Sequence, residues 1–450
     1  MATPLFQWKC QPKAEALVLS ILNQCCQANT FTTSLSQDLL TQTSTRLFDW
    51  LDHVVAKYSP NLEKELEDSG FITTSTTASY RVFHHPGAQL PRVVLQEGQS
   101  VKPIIGVAVN VDSIADFLMV RGMEGGIEGS FLSNYRRCCV STENAVSLWV
   151  VERRGSTTME PVYTEDTAIK NYLQASEQWQ TRPRDLNDDE GMAHTLVLAE
   201  KMISLVGQDL AAWIVLECER KYWQARNAAG QLQKNRQDRL GMGWANHDHH
   251  TFRSSRYLFP QLIQLFEMLG FYCRERFYAG NEAGWGAQVM EHKNLRLVLF
   301  LDVDLVPEEL NLDFRNQKLS DLGKPGTIGL WCGLHGDSIL KAGMHHLEAQ
   351  FMFDELTQDL AKAGVGMMAP FSALPYLRQA FTKGEMWSVQ SRRLDNLVKK
   401  GWITQEKADH FRETGALGSH LENLQRREGY KGFNPKNVSS IIQQTDPLLH

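Results

Sequence analysis

"WANHDHHTFRSSRYLFPQLIQLFEMLGFYCRERFYAGNEAGWGAQVMEHKNLRLVLFLDVDLV", residues 244–306, reads as one strand, one helix and three strands. The helix is "YLFPQLIQLFEMLGF", whose apolar residues recur at helical spacing. The strands are "WANHDHHTFR", "YCRERFYAG", "GWGAQVMEHKN" and the apolar, acid-tipped "LRLVLFLDVDLV". A second, more interrupted series follows: strand "MHHLEAQFMF", helix "DELTQDLAKAG", a helical insertion around 385–415 and strand "SHLENLQRRE". Two βαβββ modules facing each other close into a half-open barrel with a central cavity. The expected fold class is therefore α+β, with paired modules in the C-terminal half.

Outward from this stretch the texture changes. Residues 12–70 read as helices, because "AEALVLSILNQCCQ" and "TRLFDWLDHVVAKY" both place apolar residues at i, i+3, i+4 and i+7. From 102, "KPIIGVAVNV", "SIADFLMVRG", "YRRCCVST" and "VSLWVVERRG" form a compact βαββ unit turning at Glu143-Asn144. Residues 164–188 are polar and read as a linker, and 192–240 carry one long helical pattern. The expected division is 1–100 helical, 101–188 βαββ unit and linker, 189–240 connecting helix and 241–450 metal-binding barrel. The glycine-rich "GMEGGIEGS" (122–130) lacks phosphate-loop spacing and reads as a flexible loop.

Composition narrows the function classes. A net charge of -6 over 450 residues provides no general basic field, so nucleic acid is not an expected partner. The eight cysteines form no C-x-x-C pair, which points to a reduced, cytosolic chain rather than a disulfide framework. Lys9, Lys13 and Glu15 interrupt any apolar run at the N-terminus, and no stretch is long and apolar enough to span a membrane. The expectation is a cytoplasmic protein without a membrane partner, with a homo-oligomer left open.

Strand side chains alternate, so residues of equal parity share a face. On the first strand His247, His249, Thr251 and Arg253 lie together, with His250 turned the other way. On "MHHLEAQF" His346, Glu348 and Gln350 share a polar face, and on the last strand His420, Glu422 and Leu424 do. Two imidazoles and one carboxylate from three strands make a facial triad with open positions, the donor set of non-haem Fe(II) oxygenases. His249, His346 and Glu422 are the expected metal ligands, separated by 97 and 76 residues, with His247 in reserve. Arg253 follows His249 by four residues, roughly 13 Å along a strand. Its planar fork suits a substrate carboxylate, and pairing with Asp302 or Asp304 is its structural alternative. Arg276 and Gln288 are further candidates for substrate contact.

The order of "HHTFR", "MHHLEAQF" and "LENLQRREG" resembles the three motifs of the 2-oxoadipate dioxygenase/decarboxylase (hydroxyglutarate synthase) family. That family belongs to the vicinal-oxygen-chelate superfamily of paired βαβββ modules. The resemblance covers roughly 241–440. It implies His249, His346 and Glu422 as iron ligands and Arg253 as the catalytic and substrate-binding carboxylate clamp. The last motif aligns loosely, so His420 is an alternative to Glu422. The implied reaction is O2-dependent decarboxylation and hydroxylation of a small 2-oxo acid or carboxylate, with Fe(II) as cofactor.

Other classes are less well served. A Zn²⁺ or Mn²⁺ lyase or isomerase of the glyoxalase-like type would want a fourth protein ligand, and His292, Asp302 or Asp304 are candidates. A metal-free small-molecule binding protein would use none of these histidines as ligands. The triplet "DHH" (248–250) lacks the aspartate cluster and glycine-histidine loop of the phosphoesterases named for it. Cys332 and His335 are too close in sequence to form a thiol dyad readily.

Overall fold

The computed structural model describes residues 8–97 and 105–434, and its C-terminal half has the expected strand order. The N-terminal half begins with α1 (Pro12–Ala28) and α2 (Thr30–Thr43), then β1 (Leu51–Lys57), α3 (Pro60–Asp68), β2 (Ile72–Thr76), β3 (Tyr80–His84) and β4 (Arg92–Gln96). It continues with β5 (Ile105–Asn110), α4 (Ile114–Val120), β6 (Tyr135–Glu143) and β7 (Val146–Arg153). Residues 102–104 of the expected first strand of the βαββ unit lie outside the described residues. These strands form one sheet in the order β2-β3-β4-β1-β5-β7-β6.

The helical reading of 45–58 and of the region up to 100 is corrected here. Leu51–Lys57 is a strand, and three more strands follow before residue 97. The apolar positions of "LFDWLDHVV" fit both periods. Tertiary pairing decides, with Val54 between Val93 and Val107. The N-terminal half therefore contains a βαβββ module and a βαββ module side by side.

Four helices separate the sheets: α5 (Asp166–Gln180), α6 (Asp188–Val206), α7 (Gln208–Gln224) and α8 (Ala228–Asp238). Two expectations change. Most of the 164–188 linker is α5, which buries Tyr172, Ala175 and Trp179 on one side. The single connecting helix is three helices. Gly207 at φ +82 interrupts the first break, and Asn227 caps α8 by accepting from the Gly230 amide.

The C-terminal half runs β8 (His247–Arg253), α9 (Phe259–Met268), β9 (Tyr272–Tyr278), β10 (Trp285–His292), β11 (Leu297–Asp304) and α10 (Thr327–His335). Then come β12 (His346–Gln350), α11 (Phe353–Lys362), β13 (Ser372–Leu374), β14 (Leu377–Phe381) and β15 (Met386–Trp387). The chain ends its described course through α12 (Ser391–Lys399), α13 (Gln405–Thr414), β16 (Ala416–Leu417) and β17 (His420–Arg426). The large sheet has the order β13-β14-β17-β12-β8-β11-β10-β9. Each module puts its first strand beside its last, and the two first strands, β8 and β12, pair antiparallel at the centre. This is the vicinal-oxygen-chelate arrangement. Leu299, Leu301, Leu347, Ala349 and Leu421 cover the helix-facing side with Phe252 and Phe266, leaving the other side for polar groups.

All eight cysteines are free. Among the described residues no helix is long and apolar enough to cross a membrane.

Candidate metal centre

The central strands deliver four donors to one point. A ring nitrogen of His249 on β8, one of His346 and a carboxylate oxygen of Glu348 on β12, and one of Glu422 on β17 all lie within 4.8 Å of one another, and all four residues are buried. Register explains the convergence: β12 and β17 are parallel, with His346 opposite His420 and Glu348 opposite Glu422. Glu348 Oε1 stands 2.8 Å from His249 Nε2 and 2.5 Å from His346 Nε2. Glu422 Oε2 is 3.8 Å from the same His346 nitrogen.

The surrounding hydrogen bonds fix which ring nitrogen faces this point. His249 Nδ1 meets Asp248 Oδ1 at 3.1 Å, and Asp248 is held by Arg426 at 3.0 and 3.1 Å and by Gln350 at 3.1 Å. His346 Nδ1 meets His345 Nδ1 at 2.7 Å. Each ring thus engages its outer nitrogen elsewhere and turns Nε2 inward, as imidazoles do when they ligate a metal. Glu422 Oε1 accepts from Gln379 Nε2 at 2.8 Å, and Glu348 Oε1 accepts from Thr251 at 3.2 Å.

Electrostatics completes the fit. Burial pushes the His249 imidazole down to about 4 and holds His346 well below the usual range, so both rings are neutral at pH 7, the form in which an imidazole can ligate. Burial pushes Glu422 up to about 8, and burial with the adjacent Glu422 charge raises Glu348 further. Burial would raise Asp248 as well, but Arg426 and His249 outweigh it and keep that carboxyl ionised. Two neutral imidazoles and two carboxyl groups, both pushed toward the protonated form, therefore crowd one buried point, and Glu348 Oε2 there accepts from no neighbouring N–H or O–H group among the described residues. A divalent cation supplies the missing positive charge, and the residues fit one.

A cavity of about 80 Å³ is lined by three of the four donors, His249, His346 and Glu422. Arg253 lies in it, two alternate positions along β8 from His249, with its guanidinium over the Trp331 ring and Nε 3.9 Å from Asp302 Oδ2. Asp302 is opposite Arg253 in the β8–β11 register, and burial, opposed by Arg253, pushes its carboxyl up to about 7. Phe277, Trp285, Phe300, Phe371, Phe381 and Phe433 make most of the remaining wall apolar, with Thr327, Gln379 and Asn434 as polar exceptions.

Several expected participants lie elsewhere. Arg276 and Gln288 sit opposite each other on β9 and β10 but face away from the cavity, because Phe277, Ala287 and Val289 take the cavity side. Arg276 donates to the Leu310 and Leu312 carbonyls and stacks on Phe314, while Gln288 donates to the Glu275 and Val289 carbonyls. His247 leaves the ligand face because the β8–β12 register shifts beside it; its ring packs edge-on against His250. His250 does turn back into the protein, toward Arg220. His420 bonds the Thr382 carbonyl and stacks on Phe381, outside the donor cluster. His292 lies near Asp209, and Asp304 accepts the Gly326, Ile328 and Gly329 amides at the start of α10, so neither is a fourth donor. Glu348 takes that place. Its parity with His346 was the available signal. Cys332 is buried with its thiol raised far above the usual range, no state for a nucleophile.

No family model matches the chain, and no curated protein matches it either. Solved structures do. A provisionally assigned hydrolase from Shewanella frigidimarina NCIMB 400 is 13% identical over 54% of this chain and 94% of that one, with a TM-score of 0.29. A triple mutant of 4-hydroxymandelate synthase from Streptomyces coelicolor is 11% identical over 89% and 99%, also at 0.29. Methylmalonyl-CoA epimerase from Mycobacterium tuberculosis is 11% identical over 40% and 87%, at 0.24. At such TM-scores these likenesses carry no argument about activity.

Proposed function

We propose that the protein is a non-haem Fe(II)-dependent dioxygenase that decarboxylates and hydroxylates a small 2-oxo acid or related carboxylate. The observation that carries this reading is the buried cluster of His249, His346, Glu348 and Glu422 opening onto a cavity that contains Arg253. In this reading His249, His346 and Glu422 hold the metal. When bound, Fe(II) supplies the O2 activation that no side chain here can offer.

The chain's own residues do the rest. Arg253 grips a substrate carboxylate through its planar fork, fixing the acid against the metal face. The six aromatic rings keep water from the reacting carbon. Burial pushes the Asp302 carboxyl up to about 7, which weakens its competition with a substrate carboxylate for the guanidinium of Arg253. Asp248 and His345 keep the two imidazoles aimed. The atoms balance when a 2-oxo acid and O2 give CO2 and an acid one carbon shorter. One oxygen atom enters the new carboxyl group and the other the hydroxyl.

A second reading has its own support. Four protein donors, rather than three, are the complement of a Zn²⁺ or Mn²⁺ lyase or isomerase of the glyoxalase-like type, with Glu348 as the fourth. One experiment separates the two: metal content of protein purified without oxygen, for wild type and His346→Ala, followed by O2 uptake with a panel of 2-oxo acids. Near-stoichiometric iron, lost in His346→Ala, with substrate-dependent O2 uptake supports the dioxygenase. Zinc or manganese without O2 uptake supports the isomerase, and no metal in either protein even after reconstitution sinks both.

A further inference from the structure

Between the two sheets, behind β8, lies a second cavity of about 190 Å³ that shares none of the metal donors. Its walls come from β1, β7, α7, the Asn294–Leu297 turn and the start of β8, so both halves of the chain contribute. Its carboxylates are all engaged. Asp52 holds Arg153 at 2.6 and 2.7 Å, Glu152 holds Arg154 at 2.8 Å, and Glu217 holds Lys221 at 3.2 Å. Asp49 pairs with Arg46, and Asp112 accepts the Trp244 amide at 2.8 Å.

Arg153 and Arg154 are thereby paired, whereas Arg220 and Arg296 on the same walls have no ion pair among the described residues. Arg220 is 5% exposed and lines the cavity, yet no carboxylate lies within ion-pair distance among the described residues. Its one hydrogen bond there runs to the neutral ring of His250, at 3.3 Å. Arg296 also lines the cavity, and its bond goes to the Leu90 carbonyl. It is held in a left-handed backbone conformation at φ +57, a strained geometry for an arginine that sets its side chain on this wall. Arg92, 5% exposed on β4 and repelled by the nearby Arg296 charge, makes no ion pair among the described residues, and its Nη1 has no hydrogen-bond partner there. The more distant Asp112 and Glu217 act on Arg220, and Asp52 on Arg296 and Arg92, but burial outweighs them at all three guanidiniums, a cost that a bound anion would offset.

We propose that this cavity binds a small oxyanion, a carboxylate or a phosphate, held by Arg220 of α7 and Arg296 of the turn after β10, with the charge of the nearby Arg92 adding to their field. The carboxylates of the lining are already paired or hydrogen-bonded while Arg220 and Arg296 have no ion pair among the described residues, so an anion is the guest this wall favours. The location matters. Gln350 lines the cavity and donates to Asp248, which orients His249, and Arg220 contacts His250 on the same strand. An occupant would therefore sit one hydrogen-bond relay from the metal centre while touching none of its donors.

The test is calorimetric titration of the full-length, metal-loaded protein with inorganic pyrophosphate and, separately, with citrate, at matched ionic strength. Saturable binding is expected, weakened roughly tenfold or more in Arg296→Gln and in Arg220→Gln, as loss of a charge-assisted contact predicts. His346→Ala should bind as wild type does. Pyrophosphate alone binding identifies a phosphate ligand, citrate alone a carboxylate, and both a general oxyanion site; each supports the proposal. It is overturned if neither probe saturates, if both arginine variants bind as wild type, or if His346→Ala abolishes binding. The two arginine variants are read independently, so one that fails to fold leaves the other decisive.

Discussion

Glu348 and Glu422 occupy register-matched positions on neighbouring strands, and only one of them is needed for a facial triad. If Glu348 stays outside the coordination shell as a hydrogen-bond partner of Glu422, Glu348→Gln keeps its shape and bonding. Metal affinity should then fall by roughly 10–100-fold, the usual effect of an outer partner, while Glu422→Gln should lose metal almost completely. Competition with a fluorescent chelator measures both. The opposite ranking makes Glu348 the ligand. Asp302 carries a second prediction. Its folded carboxyl titrates near 7, against an ordinary 3.8. Between those values the folded chain keeps a proton that the unfolded chain has lost, so this group's contribution to stability falls as pH rises and is constant above the window. The stability gap between Asp302→Asn and wild type, from urea melts, should widen in favour of the variant by about 1.4 kcal/mol per pH unit across that window. A gap independent of pH would refute the protonated aspartate.

At the scale of elements, β12 carries two of the four donors on one face and apolar residues on the other. Leu347 is fully buried between them. Leu347→Ala should cost about 2–5 kcal/mol in denaturant unfolding, because a short central strand cannot collapse into the space left. A loss below 1 kcal/mol would mean that the β12 back does not anchor the site. Alternation also decided what could be read in advance. The β-α-β-β-β order of 244–306, the shared face of His249 and Arg253, and that of His346 and Glu348 all follow from period-two patterning, because one face is polar and the other apolar. On β9 and β10 both faces mix polar and apolar residues, so parity had no anchor and Arg276 and Gln288 were assigned to the wrong side. His247 was misplaced by a register shift that leaves no local mark. Residues 45–58 satisfy both helical and strand periods, and only long-range pairing with β4 and β5 resolves them. Glu348 was on the correct face but fell outside a triad fixed at three members.

At the scale of the whole molecule, two sheets of seven and eight strands each place two first strands side by side at the centre, and among the described residues one of them gathers a cluster of metal-donor side chains. In the C-terminal sheet the central first strands, β8 and β12, face two imidazoles and two carboxylates toward one point with β17. In the N-terminal sheet the central first strands are β1 and β5. On the face opposite the helices, that sheet gathers His53 and Asp52 with Arg153 and Arg92. Asp52 holds Arg153 through two bonds and His53 Nδ1 through a third at 2.7 Å. A guanidinium stands where a cation would have to sit, so that face has its positive charge built in. Two consequences follow. Metal analysis of the loaded protein should find one ion per chain rather than two. Arg153→Ala leaves Asp52 buried without its main counter-charge, and removing one partner of such a pair costs about 3–5 kcal/mol. The variant should therefore melt well below wild type while retaining the metal of the C-terminal sheet. A second equivalent of metal, in wild type or in Arg153→Ala, would mean that the N-terminal sheet is an active-site scaffold in its own right. A single equivalent together with the stability loss would identify that sheet as a structural partner. Its Arg153 guanidinium, tethered to the chain, would then supply the positive charge that a bound metal would supply in the other half.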